Sequence, residues 1–356
     1  MQPAQRLAEL IRRQGDACAR LGSPLYAGLM AYAAVDALDG GPVAVALAGH
    51  ELDPGDYAVT LRLFGAVHGL VLSGRAPDLA AYYPSVGGTA DPHAAWPQFR
   101  RVCAEQLDAI RPWLESPPQT NEIGRSAALL GGLLYVTAAT RLPVRLRELG
   151  ASAGLNLRPD LLRLTWDAPV PGSYGPDSSP VLLAHAWTGA LPPVGVSLSV
   201  VDRGGCDLDP VVATTPEGRL RLQAYIWPDQ VARMERLRGA LELAGQVPAT
   251  VVRADAVSFL ENLSPEIGST LVIWHSVVWQ YLPDDARVRA QAEFDRLGGE
   301  ATRSSPVAHL SLELDPGSDD ASVALQLWPA SAFPAYADAT PIGAAAPHGI
   351  PVRWLG

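Results

Sequence analysis

Lysine is absent from this 356-residue chain, and all 27 of its basic residues are arginine. That excludes a Walker-type phosphate-binding lysine, a Schiff-base lysine and a serine–lysine catalytic pair. Cysteine is scarce: Cys18, Cys103 and Cys206 are odd in number, far apart and never spaced C-x-x-C. Neither a disulfide framework nor a thiolate zinc site is implied. The seven histidines show no H-E-x-x-H spacing, and no metal is expected. Positive charge is also short. A formal net charge of −10 argues against a nucleic-acid surface, which needs a concentrated basic footprint. The longest nearly apolar stretch, residues 127–139, is too short to span a bilayer and reads as a buried helix. The opening "MQPAQRLAELIRRQ" lacks the apolar core of a signal peptide. A cytoplasmic protein with no membrane partner is expected.

What is present is a chain 48% hydrophobic and 18% charged, the balance of a globular protein. Residues 1–140 read as an all-helical N-terminal domain. In "FRRVCAEQLDAIRPWL", Phe99, Val102, Cys103, Leu107, Ile110, Trp113 and Leu114 share one helical face. In "QTNEIGRSAALLGGLLYVTAAT", Thr120 or Asn121 is placed to cap a helix that becomes wholly apolar. Leu7, Leu10, Ile11, Cys18 and Leu21 form such a face earlier, and between that helix and these "AYYPSVGGTADPHAAWP" (81–97) is a loop whose Tyr82 and Tyr83 are lid candidates.

Residues 141–356 change period. "VRLREL" (144–149), "ATVVRAD" (249–255) and "STLVIWHS" (269–276) read as strands, while "VARMERLRGALELAG" and "DDARVRAQAEFDRLGG" read as amphipathic helices. "HLSLELDP" and "SVALQLWP", separated by "GSDDA", predict an antiparallel hairpin, and "IPVRWLG" one more strand. The alternation predicts an α/β fold: an open, doubly wound, Rossmann-like sheet, mostly parallel, with an antiparallel C-terminal end. The proline-rich residues 157–197 interrupt the alternation and are expected as an insertion, a small hairpin over the site.

"RELGASAG" (147–154) admits two readings. Gly150-Ala151-Ser152-Ala153-Gly154 fits G-x-S-x-G, the elbow that presents a nucleophilic serine in α/β-hydrolases. That reading needs strands built earlier in the chain, where helices are predicted, and an oxyanion-hole loop that is missing. Its partners would be Asp255 or Asp315 with His309 or His348. From Glu148 the same letters fit E-x-G-x-x-x-G, a glycine-rich loop ending the first strand, whose backbone a ligand can approach closely. The following helix is expected to aim its N–H groups at the ligand. This second reading meets more of its requirements.

"RELGASAGLN" resembles motif I of class I S-adenosylmethionine-dependent methyltransferases, with Glu148, Gly150 and Gly154 on the motif's positions and Ser152 in place of its middle glycine. "GCDLDPV" (205–211) is similar to the family's second strand end; the resemblance assigns Asp207 to the ribose hydroxyls, with Asp202 as a rival. "RADAVSFL" resembles the third-strand element and assigns Asp255 to the adenine amine. "LVIWHSVVWQYLPDD" is similar to the fourth strand and its loop. The whole chain, including "QTNEIGR" and "WHSVVWQYL", also resembles the bacterial family called domain of unknown function 2332. The methyltransferase resemblance implies S-adenosylmethionine as cofactor and a small-molecule acceptor. A non-catalytic binding or interaction protein that kept the fold is the alternative.

Methyl transfer from a sulfonium needs donor and acceptor held in line and, for most acceptors, a base. His275, just after the fourth strand, is the base candidate; otherwise it is a ring packed between Trp274 and Trp279. Trp279 and Tyr281, with Gln280, are candidates to line an acceptor pocket. Asn121, Glu122 and Arg125 either cap the apolar helix or reach substrate. Cys206 reads as a small core residue.

Overall fold

Among the described residues, eight α-helices precede the first strand, as the apolar periodicity of residues 1–140 predicts. The computed structural model describes residues 3–53, 58–315 and 320–355. The helices are α1 (Pro3–Arg20), α2 (Pro24–Leu38), α3 (Pro42–Ala46), α4 (Val59–Leu72), α5 (Pro77–Ala80), α6 (Pro92–Glu105), α7 (Leu107–Leu114) and α8 (Ser126–Thr140). Ser23 and Asp91 cap α2 and α6 through their side chains, each with a proline opening the helix behind it. "FRRVCAEQLDAIRPWL" spans two helices, which part at Gln106.

The chain continues as β1 (Val144–Leu149), β2 (Arg163–Trp166), β3 (Gly172–Tyr174), β4 (Leu182–Leu183), β5 (Trp187–Gly189) and β6 (Val200–Asp207). Then come α9 (Pro216–Ala224), α10 (Val231–Gln246), β7 (Thr250–Arg253), α11 (Ala256–Glu261), β8 (Thr270–Ser276) and α12 (Asp284–Glu300). Four strands follow: β9 (Val307–Leu314), β10 (Ala321–Trp328), β11 (Thr340–Ala345) and β12 (Val352–Trp354). Strands β9 and β10 form the expected hairpin; of its "GSDDA" turn, residues 317–319 lie outside the described residues.

Two compact units emerge, Met1–Thr120 with Thr215–Glu235, and Asn121–Thr214 with Arg236–Gly356. The division departs from a boundary at residue 140. α8 is apolar on every side and groups with the sheet. Residues 215–235 return to the helical unit. The stretch Ile123–Thr140 is long and apolar enough to cross a membrane by composition, yet 72% of it is buried inside the protein.

The helical unit is built on aromatic packing: Tyr26 meets Phe64 edge-on at 4.9 Å, and Phe64 lies 4.6 Å from Phe99 between ring centroids. Tyr83 is fully buried there, which corrects its assignment to a lid.

The other unit holds a nine-stranded mixed sheet, ordered β5-β12-β11-β10-β9-β8-β1-β6-β7. From β7 through β6, β1 and β8 to β9 every pairing is parallel. In order of appearance among these five, that is 3-2-1-4-5, the Rossmann-like arrangement in which strand order reverses at β1. Strands β10, β11 and β12 continue as an antiparallel meander. β8 buries all seven residues, as a central strand covered on both faces must. One face packs on α8 and the other on α11 and α12.

The segment 157–197 holds the expected hairpin, β2 with β3, and more besides. Its β2, β3 and β4 form a separate three-stranded sheet, and its β5 pairs with β12 at the far edge of the main sheet. Buried Trp187 anchors β5 by donating its indole N–H to Ala127 O at 2.9 Å.

Gly131 and Gly132 let α8 lie close to the sheet, against Trp354 and Leu310 respectively. A Cβ at Gly131 would overlap the Trp354 indole. Gly131→Ala should therefore destabilise the protein by about 1–3 kcal/mol in denaturant unfolding. Gly245→Ala, where a Cβ meets open space in α10, should be neutral or stabilising.

Candidate functional site

In open parallel sheets, ligands bind outside the carboxyl ends of the strands where strand order reverses. Here that point is the end of β1 and the loop it feeds. Three of the loop's five residues have left-handed backbone: Gly150 (φ 68), Ser152 (φ 52) and Gly154 (φ 67). A Cβ at Gly150 would lie 2.5 Å from Val278 Cγ2, and one at Gly154 would lie 2.7 Å from Val251 Cγ2. Ser152 thus shares the left-handed backbone of the two glycines that flank it, at a cost of order 1 kcal/mol.

Side chains from elsewhere hold this turn. Asp207, the last residue of β6, accepts from Ser152 N at 2.8 Å and from Asp209 N at 2.9 Å. Asn121 Oδ1 accepts from Leu155 N at 2.9 Å. Arg158, buried beneath, donates from Nη1 to Gly154 O at 2.7 Å and from Nε to Val247 O at 2.6 Å. No α-helix follows the loop, which corrects the expectation of a helix N-terminus aimed at a ligand. Two 3₁₀ turns, Leu155–Leu157 and Pro159–Leu161, take its place, and Asp207 and Asn121 occupy two of the loop's N–H groups.

Glu148 stands just before the turn, 2% exposed, with Oε2 buried and without a hydrogen-bond partner. Trp274 is its cross-strand neighbour on β8. Burial pushes the Glu148 carboxyl up to about 8; Asn156, Trp274 and Arg125 pull the other way, and Asp207 adds to the rise. At neutral pH this acid is mostly protonated, and an arriving cation would ionise it.

The other predicted residues fall into place around this edge or away from it. Asp207, not Asp202, ends the second strand; Asp202 sits within β6 and pairs with Arg147. Asp255 caps α11, accepting from Ser258 N at 2.9 Å and Ser258 Oγ at 2.7 Å, and these bonds hold its carboxyl below the usual range. Neither Thr120 nor Asn121 caps the apolar helix. Glu122 caps the 3₁₀ turn Ile123–Arg125 that precedes α8, while Asn121 holds the loop. Arg125 donates to Ser276 O and Pro347 O, tying the end of β8 to the loop after β11. Cys206 is buried in the core on the α11 and α12 face, and burial pushes its thiol up to about 12.

His275 lies on the opposite face from Glu148, because successive residues of a strand alternate and Leu149, not Glu148, pairs with it. Its Nδ1 is 2.6 Å from Glu313 Oε1 and its Nε2 is 2.8 Å from His309 Nε2. Trp279 stacks on it, with centroids 5.1 Å apart. Both ring nitrogens are engaged away from the Gly150–Gly154 loop, which corrects the base expectation on geometric grounds. Desolvation, with His275 adjacent, holds His309 well below the ordinary imidazole range. Glu313 also accepts from Val278 N at 3.1 Å and Trp279 N at 3.3 Å. It fixes the strained turn at Val277 (φ 53), from which Val278 abuts Gly150. Trp279 therefore packs with α12, whereas Tyr281 is exposed.

The elbow reading's partner candidates are engaged elsewhere: His309 bonds His275, Asp255 caps α11, and His348 stands beside Glu122. A hollow of about 810 Å³ lined by Thr137, Arg141, Ser197 and Val201 lies at the amino edge of the sheet, away from the loop.

The chain belongs to the family described as "Uncharacterized protein conserved in bacteria (DUF2332)", whose model matches residues 8–354. No curated protein and no solved structure matches it.

Glu148 has a folded pKa of about 8 against an ordinary 4.5, so the folded state keeps a proton that the unfolded chain loses between those values. Its contribution to stability is complete below pH 4.5 and is lost as pH rises through 8, at up to about 1.4 kcal/mol per unit. Glu148→Gln should remove that slope and be the more stable protein at pH 9, as measured by denaturant midpoints across pH.

Proposed function

We propose that this chain binds S-adenosylmethionine at the carboxyl edge of β1 and transfers its methyl group to a small-molecule acceptor. The observation that carries the reading is the buried, unpartnered Glu148 Oε2 beside a turn with glycine-like backbone at 150, 152 and 154. It lies where strand order reverses in a 3-2-1-4-5 parallel core. A buried carboxylate oxygen without a hydrogen bond suits a ligand ammonium, which offsets the loss of hydration that burial imposes. Gly150 and Gly154 keep side chains out of the approach. Asp207 holds the loop through Ser152 N, and each carboxylate oxygen can accept a further hydroxyl. Asp255 stands at the end of β7 for the base end of the ligand, beside its capping bonds. When bound, the cofactor supplies a methyl group activated by a sulfonium.

A second reading, a protein that binds the cofactor without transferring its methyl, is favoured by His275, whose two nitrogens are both engaged on the far face. The serine-hydrolase reading draws support only from the strained Ser152.

Calorimetry with S-adenosylhomocysteine, run in buffers of different ionisation enthalpy, tests the reading. Binding should release about one proton at pH 7, as Glu148 ionises against the ligand ammonium, and almost none above pH 9. Ser152→Gly should bind at least as tightly. An absence of heat at millimolar ligand with folded protein would overturn the proposal; stoichiometric labelling of Ser152 by a fluorophosphonate would restore the hydrolase.

A further inference from the structure

Helix α8 ends in a way that α1, α2 and α4 do not. The left-handed residue that closes a helix is ordinarily glycine, which has no Cβ to strain. Gly22 (φ 82), Gly40 (φ 69) and Gly74 (φ 74) follow α1, α2 and α4, whereas α8 closes on Arg141 at φ 57. The turn itself does not use the arginine side chain. Thr140 Oγ1 donates to Val136 O at 3.0 Å, accepts from Leu142 N at 3.4 Å and accepts from Thr270 Oγ1 at 3.0 Å. Among the described residues, the Arg141 guanidinium has no hydrogen-bond or ion-pair partner. What it borders is the hollow of about 810 Å³ at the amino edge of the sheet, and no other charged residue lines that hollow.

The opposite wall is held by its own bonds. Tyr174 Oη donates to Val196 O at 3.1 Å and accepts from Leu198 N at 3.2 Å, and Val144 N donates to Ser199 O at 2.8 Å. Most of the lining is aliphatic: Ala138, Leu142, Pro143, Val196 and Val201, the last 59% exposed. The volume falls among those of small-molecule sites, about 300–1,000 Å³. We propose that this hollow is a ligand site separate from the carboxyl edge, taking an aliphatic monocarboxylate. Its carboxylate meets the Arg141 guanidinium, and its chain runs along Leu142, Val196 and Val201. The planar guanidinium fork matches a carboxylate through two parallel hydrogen bonds. One cation balances one negative charge, and the carbonyl end of α8 beside it disfavours a dianion such as a phosphate monoester. The chain removes from water the apolar surface that Val201 leaves exposed. This site does not depend on the methyl-transfer reading.

Octanoate, with octan-1-ol as its uncharged counterpart, tests this when titrated into the full chain at neutral pH and followed by methyl NMR. Octanoate should shift the Val196 and Val201 methyl signals saturably, and should bind about ten-fold or more tightly than the alcohol. Arg141→Gln should weaken octanoate by about ten- to a hundred-fold, the usual worth of a hydrogen bond to a charged group, and leave the alcohol nearly unchanged. Arg141→Gly separates a ligand role from a role in folding. It should lose octanoate as Arg141→Gln does, while its denaturant midpoint stays at or above that of the wild type, because glycine takes left-handed backbone without strain. No shift at millimolar octanoate, shifts confined to another part of the chain, or equal affinity for acid and alcohol would overturn the site. So would unchanged octanoate affinity in Arg141→Gln, or a lowered midpoint in Arg141→Gly.

Discussion

The turn at residues 150–154 is the constraint on which the rest of this edge depends. Strand β1 ends at the buried pair Glu148 and Leu149, and the chain turns within five residues beside two neighbouring strands. Only alternating left-handed backbone achieves it here, with Val278 and Val251 close enough to exclude side chains at Gly150 and Gly154. Because no helix follows to organise the turn, three separated residues hold it: Asp207 from β6 accepts from Ser152 N, Asn121 from the approach to α8 accepts from Leu155 N, and Arg158 beyond the turn donates to Gly154 O. The loop is thereby tied to segments far apart in the chain. Its geometry is a tertiary property, although its letters are local.

That dependence explains what was legible in the sequence. "VRLREL" names β1 to the residue through alternation of apolar and polar letters, "STLVIWHS" locates the wholly buried β8 through a nearly continuous apolar run, and "ATVVRAD" locates the mostly exposed β7 through its β-branched pair. Glu148, Gly150, Gly154 and Asp207 were visible because they lie at strand ends that a motif marks. The helical pattern hid the membership of α8, since a helix apolar on all sides does not say which unit buries it. The role of Asn121 was hidden too, because a residue that caps a helix and one that caps a distant loop look alike in one dimension.

His275 shows the limit most plainly. It lies within β8 rather than after it, and one step of alternation along that strand decides whether a side chain faces α8 or α12, which the sequence position alone did not carry. The pattern of β9 did hold a usable signal: in "HLSLEL", His309, Ser311 and Glu313 recur every second residue and so share one face, the face His275 joins. His348 left no such trace. It sits in a short turn between two strands, and its meeting with Glu122 depends on Gly124 and Gly349 permitting backbone contact. The sheet thus separates two polar groups: Glu313, His275 and His309 brace the turn after β8 from one face, while Glu148 lies on the other face, opposite Trp274 across the strand pair.

Amide hydrogen exchange, compared with and without saturating S-adenosylhomocysteine, reaches this central claim most directly. Exchange reports which backbone amides a ligand orders, whatever the acceptor is. Slowed exchange confined to residues 148–157 and 205–211 is expected, because those segments converge at the end of β1. Unchanged exchange there, or protection confined to the amino edge around Thr137 and Ser199, would contradict a cofactor site at the reversal of strand order.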